Sequence, residues 1–277
     1  SMDYYKLKIL KKGGINRLSI GVQTFQDHLL KEIDRHHNTI QVKNIIKYAK
    51  EIGFDNISID LMYGLPKQTK EDIQKDIEVL KSLDLQHVSY YSLILEEGTI
   101  LKYKNYQPLD EESEYQLTLF IDQELEKIGF EKYEISNYAK ENKECFHNKI
   151  YWECKEYIGV GSSSSSYIDG FRIVNDSNVK NYIEKMQNNE SVEVDRYKNT
   201  IKDEMEEYMF MGLRLNEGVS KMEFKQKFNT NIDSIYGNVI EKNIKRGLLQ
   251  MKDDKLSLTV KGISLANEAM SDFILEK

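Results

Sequence analysis

Lys50-Glu51-Ile52-Gly53-Phe54, followed after Asp55 by Asn56-Ile57-Ser58-Ile59-Asp60-Leu61-Met62, carries the fold in its pattern. Glycine at the end of a helically periodic run supplies a left-handed C-cap. The alternation that follows sets Ile57, Ile59 and Leu61 on one strand face and Ser58, Asp60 and Met62 on the other. Upstream, Thr39 is expected to cap a helix in which Val42, Ile45, Ile46, Ala49 and Ile52 recur at helical spacing, one stripe for packing on a sheet. The same helix-to-strand passage recurs outward: residues 11–14 lead into 15–21, 81–84 into 87–93, and 127–130 into 133–136. Thr24 with Asp27 and Thr69 with Asp72 read as N-cap and N3 pairs that start helices. Strand, helix and strand in alternation predict an α/β fold with parallel pairing and right-handed crossovers.

Ligands of such sheets and barrels sit at the C-terminal strand ends. That rule singles out Gln23 after the first strand, Asp60 with Tyr63-Gly64-Leu65-Pro66 on the second, and Ser92 on the third, all expected on one rim. A carboxylate on the Ser58 and Met62 face needs a donor or a ligand. Loop amides satisfy Asp60 as well as a bound molecule does, and pattern alone does not decide between them.

Composition narrows the classes. A chain of 277 residues, 40% hydrophobic and with 18 Tyr and 10 Phe, has the material for one large or two smaller cores, which disfavours disorder. No apolar run approaches the ~18 residues of a membrane span, so membrane association is expected only through a partner. With 39 Lys+Arg against 46 Asp+Glu, the net charge of -7 gives no general field for polyanions, and no nucleic-acid partner is expected. Cys145 and Cys154 are the only thiols, too few for a disulfide framework or for a site-differentiated iron–sulfur cluster. They point to a reducing, cytoplasmic location. Ser1-Met2 reads as the remnant of a cleaved tag, so the native N-terminus is expected upstream.

Beyond residue 140 the alternation stops. Cys145-Phe146-His147-Asn148-Lys149-Ile150-Tyr151-Trp152-Glu153-Cys154 holds both thiols and the single Trp. A zinc reading lacks a fourth ligand and a tetrahedral spacing, and a lone His beside aromatics is most often a satisfied loop histidine. Gly159-Val160-Gly161 and the run Ser162–Ser166 lie between apolar flanks, Tyr157-Ile158 and Tyr167-Ile168, which favours a close backbone approach inside a domain over a linker. From Asp203, three helices (the second about 220–228, the third 233–246) precede a two-stranded wing turning at Asp253-Asp254, and one last helix over 261–275 closes a winged-helix-like module. With 11 Lys+Arg against 13 Asp+Glu in residues 203–277, and Lys242, Lys245 and Arg246 as its recognition-helix cations, that module is not expected to bind DNA.

Taken in order, Asn16-Arg17-Leu18-Ser19-Ile20-Gly21-Val22-Gln23-Thr24-Phe25, Arg35-His36, Ile59 to Pro66, and Ser92-Leu93 with Glu97-Gly98-Thr99 resemble the radical S-adenosylmethionine (SAM) coproporphyrinogen III oxidase-like family. His147-Asn148-x-x-Tyr151-Trp152 looks like the HNxxYW motif of its HemW branch, regarded as heme chaperones. The resemblance spans nearly the whole chain. It implies part of a radical-SAM (β/α) barrel over 3–140, an α+β region with HNxxYW over 141–202, and the winged-helix-like module over 203–277. It further implies that Gln23, Arg35 and Asp60 hold SAM, and that His147 is the heme-iron ligand or contact, with Asn148, Tyr151 and Trp152 against the porphyrin and Cys145 a second candidate ligand.

The family's Cys-x-x-x-Cys-x-x-Cys loop does not occur in the sequence, so the 4Fe–4S cluster is expected only in a full-length parent and no radical chemistry is expected of these residues. Function is thus expected to be heme binding or transfer, with heme or porphyrin and a heme-receiving protein as partners. An oxygen-independent coproporphyrinogen III oxidase is the enzymatic alternative, and a cofactor-free winged-helix interaction module a second. Neither the oligomeric state nor a role for the serine run is legible.

Overall fold

The structure, a computed structural model, describes residues 2–275. By internal contacts the chain divides into two compact units, residues 1–145 and 146–277. In chain order the first contains α1 (Tyr4–Lys12), β1 (Arg17–Gln23), α2 (Asp27–Glu32), α3 (Thr39–Ile52), β2 (Asn56–Tyr63), α4 (Lys70–Leu83), β3 (His87–Ser92), α5 (Ile100–Tyr103), α6 (Glu111–Lys127), β4 (Glu131–Lys132) and β5 (Asn137–Ala139).

The expected alternation holds through β3. β1, β2 and β3 pair in parallel, in a five-stranded sheet of order β1-β2-β3-β5-β4. Ile57, Ile59, Leu61 and Tyr63 turn one face of β2 into the core, where they join Val42, Ile46 and Ala49 of α3, Ile73, Ile77 and Leu80 of α4, and Ile121 and Leu125 of α6. Each fully buried aliphatic side chain contributes about 1.5–3 kcal/mol, so this face dominates the first unit's stability. The opposite face carries Ser19, Ser58, Asp60, His87, Ser89 and Tyr91, with Ser58 and His87 buried.

Three local expectations are corrected. The fourth predicted strand, 133–136, is instead the connection of a hairpin: β4 and β5 pair antiparallel, and β5 runs antiparallel to β3. The Glu134 carboxylate folds back to accept from the Ser136 N–H and Asn137 Nδ2, a side-chain bond that competes with strand formation. Thr24 does not cap a helix. α2 begins after Gln26 without a side-chain cap, because the Thr24 hydroxyl donates to the buried Asp76 of α4 at 2.7 Å. Asn38, one residue before the expected Thr39, caps α3 through a capping box with Gln41, while Thr39 donates to Asp27 and to the Phe25 carbonyl. The Thr69–Asp72 box at the start of α4 forms as expected.

The second unit continues with α7 (Phe146–Trp152), β6 (Ser165–Ile168), β7 (Phe171–Asn175), α8 (Val179–Gln187), β8 (Glu193–Lys198), α9 (Ile201–Gly212), β9 (Val219–Ser220), α10 (Lys221–Phe228), α11 (Ile232–Lys245), β10 (Leu249–Lys252), β11 (Lys255–Leu258), α12 (Val260–Ser264) and α13 (Ala266–Ser271). β6, β7 and β8 form an antiparallel sheet into which the serine run feeds. The close backbone approach read from Gly159 is present: a Cβ there would lie 2.2 Å from the Ser165 carbonyl oxygen.

α9, α10 and α11 precede the β10–β11 wing, and β9 adds a third strand that the sequence reading lacked. The single closing helix is two, α12 and α13, broken at Leu265. Among the described residues no helix is long and apolar enough to cross a membrane.

Candidate functional site

The two groups of candidate residues lie in different units. In the first, β1 ends in a bulge between Gly21 and Gln23, where Gln23 takes the left-handed conformation (φ 70) and is 4% exposed. Its Oε1 accepts a hydrogen bond from the Tyr91 hydroxyl at 3.2 Å. Asp60, half-buried on β2, pairs in register with Gly21 on one side and Ser89 on the other and accepts from Ser19 Oγ at 3.1 Å.

Arg35 is exposed and follows α2 in a Schellman closure: the Asp34 and Arg35 N–H groups bond the Lys31 and Leu30 carbonyls, with Asp34 left-handed. All three residues converge electrostatically on Tyr91. Burial raises its phenol pKa, the Asp60 charge adds to that rise, and the Gln23 hydrogen bond and the Arg35 charge oppose it.

Tyr91, which sequence reading missed, thus joins Gln23 through a hydrogen bond and shares the sheet face of Asp60, whereas Arg35 follows α2 and is linked to them only by its charge on the Tyr91 phenol. Ser92 was expected on this rim, but it pairs with Tyr63 and touches that side chain, on the opposite face. Tyr91 takes its place. The signal was available, since Tyr91 and not Ser92 shares the alternation of His87 and Ser89.

Beneath the rim lies Asp76, fully buried, whose carboxylate accepts from Thr24 Oγ1 (2.7 Å), the Phe25 N–H (2.8 Å) and Gln26 Nε2 (2.9 Å). These bonds pin the turn that follows Gln23. Burial nevertheless pushes the Asp76 carboxyl up to about 6. On the polar sheet face, His87 hydrogen-bonds Ser58 Oγ at 2.7 Å and the Tyr133 hydroxyl at 2.9 Å, and burial, with Arg17 nearby, lowers its pKa to about 3. The Cys145 N–H also donates to the Tyr133 hydroxyl.

In the second unit, the HNxxYW residues occupy the single short helix α7. His147 is exposed, and its Nε2 hydrogen-bonds the Tyr151 hydroxyl at 2.8 Å, one turn on. The rings meet edge-on at 4.8 Å, and Tyr151 meets Tyr157 in the same way at 4.6 Å. Large apolar side chains flank this aromatic row in sequence and stand in solvent: Phe146 is 73%, Ile158 72% and Val160 86% exposed. Asn148 is half-buried. Trp152 is half-buried with the Arg214 guanidinium 4.3 Å over its ring, and its Nε1–H is buried with no acceptor among the described residues.

The cysteines are poorly placed as ligands. Cys145 is 5% exposed and packs with Tyr133 and Ala139, so as packed it offers no thiol to solvent for the second-ligand role considered above. Cys154 closes α7 in a left-handed conformation, and burial raises its thiol to about 11. Among the described residues, no three His, Cys, Asp or Glu side chains lie where they could hold a metal ion.

Comparison with known proteins places these observations. The Radical SAM superfamily profile matches residues 2–80, and the HemN C-terminal domain profile matches residues 199–265. A Bacillus subtilis protein named heme chaperone HemW is 40% identical over 276 residues, 98% of this chain and 73% of that protein. A Lactococcus lactis protein of the same name is 35% identical, over 98% of this chain and 72% of its own length. The solved Escherichia coli coproporphyrinogen III oxidase HemN, described as a radical SAM enzyme, superimposes with a TM-score of 0.82 over 99% of this chain and 67% of that one. At 19% identity that likeness concerns the fold.

Proposed function

The chain belongs to the radical SAM family of HemW and HemN proteins, and on that premise we propose that it binds heme through the HNxxYW helix and passes it to a recipient protein. The observation that carries this reading is α7 itself. It presents an exposed imidazole, steadied by Tyr151, beside an aromatic row and solvent-facing Phe146, Ile158 and Val160. An imidazole ligates heme iron, and flat aromatic and aliphatic surface matches the porphyrin faces. Exposure of so much apolar surface beside one titratable ring is costly unless something covers it. That HemW relatives are named heme chaperones supports the same reading. The reducing, cytoplasmic setting expected from the sequence belongs to it as well.

The rim in the first unit suits SAM. Among the described residues Asp60 accepts a hydrogen bond from Ser19 Oγ, leaving acceptor capacity for ribose hydroxyls. Arg35 makes no ion pair among the described residues and is a cation for the methionine carboxylate, and Gln23 supplies an amide anchored by Tyr91. An iron–sulfur cluster does not fit the residues present, since Cys145 and Cys154 are the only thiols and both are sequestered. Radical cleavage of SAM therefore has no part in the proposal. The coproporphyrinogen III oxidase alternative has the HemN fold in its favour, and the HNxxYW motif counts against it.

Titrating hemin into the protein and into His147→Ala, with absorption in the Soret region as readout, tests the heme reading. A saturable shift that the substitution abolishes or weakens at least about tenfold is expected. Indistinguishable titrations would assign the binding to another ligand or to adsorption and overturn the role of His147.

A further inference from the structure

Beneath Gln23, the first unit buries a carboxylate to which the cofactor reading assigns no role. Asp76 of α4 is 0% exposed, and its three donors all come from the turn that follows β1: the Thr24 hydroxyl, the Phe25 N–H and the Gln26 side-chain amide. An apolar side chain could fill the same place without a buried charge. Serving the carboxylate also withdraws the Thr24 hydroxyl from capping α2, which starts with no side-chain cap. Both costs fall on stability, and ionisable groups kept in spite of such costs cluster at functional sites.

What this turn controls is Gln23. At the β1 bulge it takes φ 70, a left-handed setting that a glutamine keeps only where its surroundings impose it. The Asp76 bonds fix the three residues that follow it, while His37 Nε2 lies 3.1 Å from the Val22 carbonyl oxygen just before it and the Thr39 hydroxyl donates to the Phe25 carbonyl. The Tyr91 hydroxyl then sets the direction of the Gln23 amide through its Oε1. Two other ionisable side chains interact with Asp76. Burial would raise the Asp72 carboxyl, one turn earlier on α4, but its bonds to Thr69 hold it below the usual range, and burial keeps the Tyr90 phenol of β3 far above its own. Asp76, at about 6, is the member of this group that changes charge near neutrality.

We propose that Asp76 is a positioning residue for the SAM rim: through the Thr24–Gln26 turn its carboxylate holds Gln23 in the left-handed setting from which the amide meets the cofactor. The proposal rests on the SAM reading above and adds to it a buried charge, out of reach of the ligand, on which affinity depends. A protonated carboxyl has fewer acceptor sites for the three bonds and no charge to strengthen them, so the turn loosens and Gln23 leaves its setting.

Calorimetric titration of SAM at about pH 7 and about pH 5 into the protein, Asp76→Asn, Gln23→Asn and the double variant tests this, with circular dichroism to show that each is folded. With the carboxyl at about 6, roughly nine-tenths is ionised at the higher pH and one-tenth at the lower, so the wild type should lose affinity about tenfold between them. Asp76→Asn should bind about tenfold more weakly than the wild type at the higher pH and equally at the lower, a convergence that mere damage to packing does not produce. His37 and the other titrating groups are present in both proteins, so the difference between their profiles reports Asp76. Gln23→Asn tolerates the left-handed setting but withdraws the amide, and in that background Asp76→Asn should cost nothing further. Thr24→Val, which removes one donor and leaves the carboxylate, should weaken binding about threefold at the higher pH. Wild-type affinity in Asp76→Asn and Thr24→Val, or a loss in Asp76→Asn that is the same at both pH values, would overturn the proposal. In that event a loss of binding in Asp60→Ala would leave the SAM reading standing. Binding that neither Asp60→Ala nor Gln23→Asn weakens, or no saturable binding by the wild type, would remove both.

Discussion

Asp76 and His87 bury ionisable groups that titrate in opposing directions. The folded state holds the Asp76 carboxyl at about 6, above its ordinary 3.8, because of burial. Folding thus favours the protonated form, and the associated stabilisation, roughly 3 kcal/mol, is complete below pH 3.8 and lost as pH rises through 6. His87 is held at about 3, below its ordinary 6.5, again by burial. Its contribution, roughly 5 kcal/mol, is complete above pH 6.5 and lost as pH falls toward 3. Between about pH 6 and 4 the two slopes offset, and single substitutions should unmask them. From pH 7 to pH 5 the wild type should gain about 1 kcal/mol relative to Asp76→Asn and lose about 2 kcal/mol relative to His87→Gln, read from urea denaturation at both pH values. Parallel pH profiles for all three proteins would show that neither group titrates as its burial implies. Neither residue was legible in sequence, because the partners of Asp76 lie fifty or more residues away. Gln23 and Asp60 were legible because strand alternation and the strand-end rule act locally. Arg214 was not, since its link to Trp152 joins segments some sixty residues apart.

Elements whose signals are local came out of the sequence nearly to the residue. α4 has its Thr69–Asp72 box, and α10, read at about 220–228, starts at its Ser220 cap. Elements decided by tertiary partners did not: Asp76 took the Thr24 hydroxyl from capping, Glu134 bent a predicted strand into a turn, and β9 exists only by pairing with β11. The β9–β11 contact also fixes Gly218, which adopts φ 71 and where a Cβ would lie 2.1 Å from the Leu256 carbonyl oxygen. Gly247 has a similar φ of 72 but open space around the Cβ position. Gly247→Ala should therefore cost about 1 kcal/mol, the left-handed penalty alone. Gly218→Ala should cost about 3 kcal/mol or more, because the sheet backbone must also move. Equal losses in the denaturation midpoints of the two variants would mean that the close approach at Gly218 relaxes freely.

Two compact units in one chain raise the question of whether they unfold as one. The principal apolar cluster draws its buried residues from Leu7 to Tyr138, all within the first unit, and a core of this kind sets the cooperative unit of unfolding. Trp152, the only tryptophan, belongs to the second. Its fluorescence therefore follows the second unit, whereas far-UV circular dichroism follows helices and strands of both. If each core unfolds separately, Asp76→Ala, which strands three donors in the first unit, should move the dichroism transition by an amount consistent with about 2–4 kcal/mol and leave the Trp152 transition in place. Gly218→Ala should do the reverse, moving the fluorescence midpoint and only the matching part of the dichroism curve. Coincident shifts of both signals in both variants would show a single cooperative molecule, in which case a heme bound at α7, as proposed, would stabilise the rim of Gln23 and Asp60 as well as its own unit.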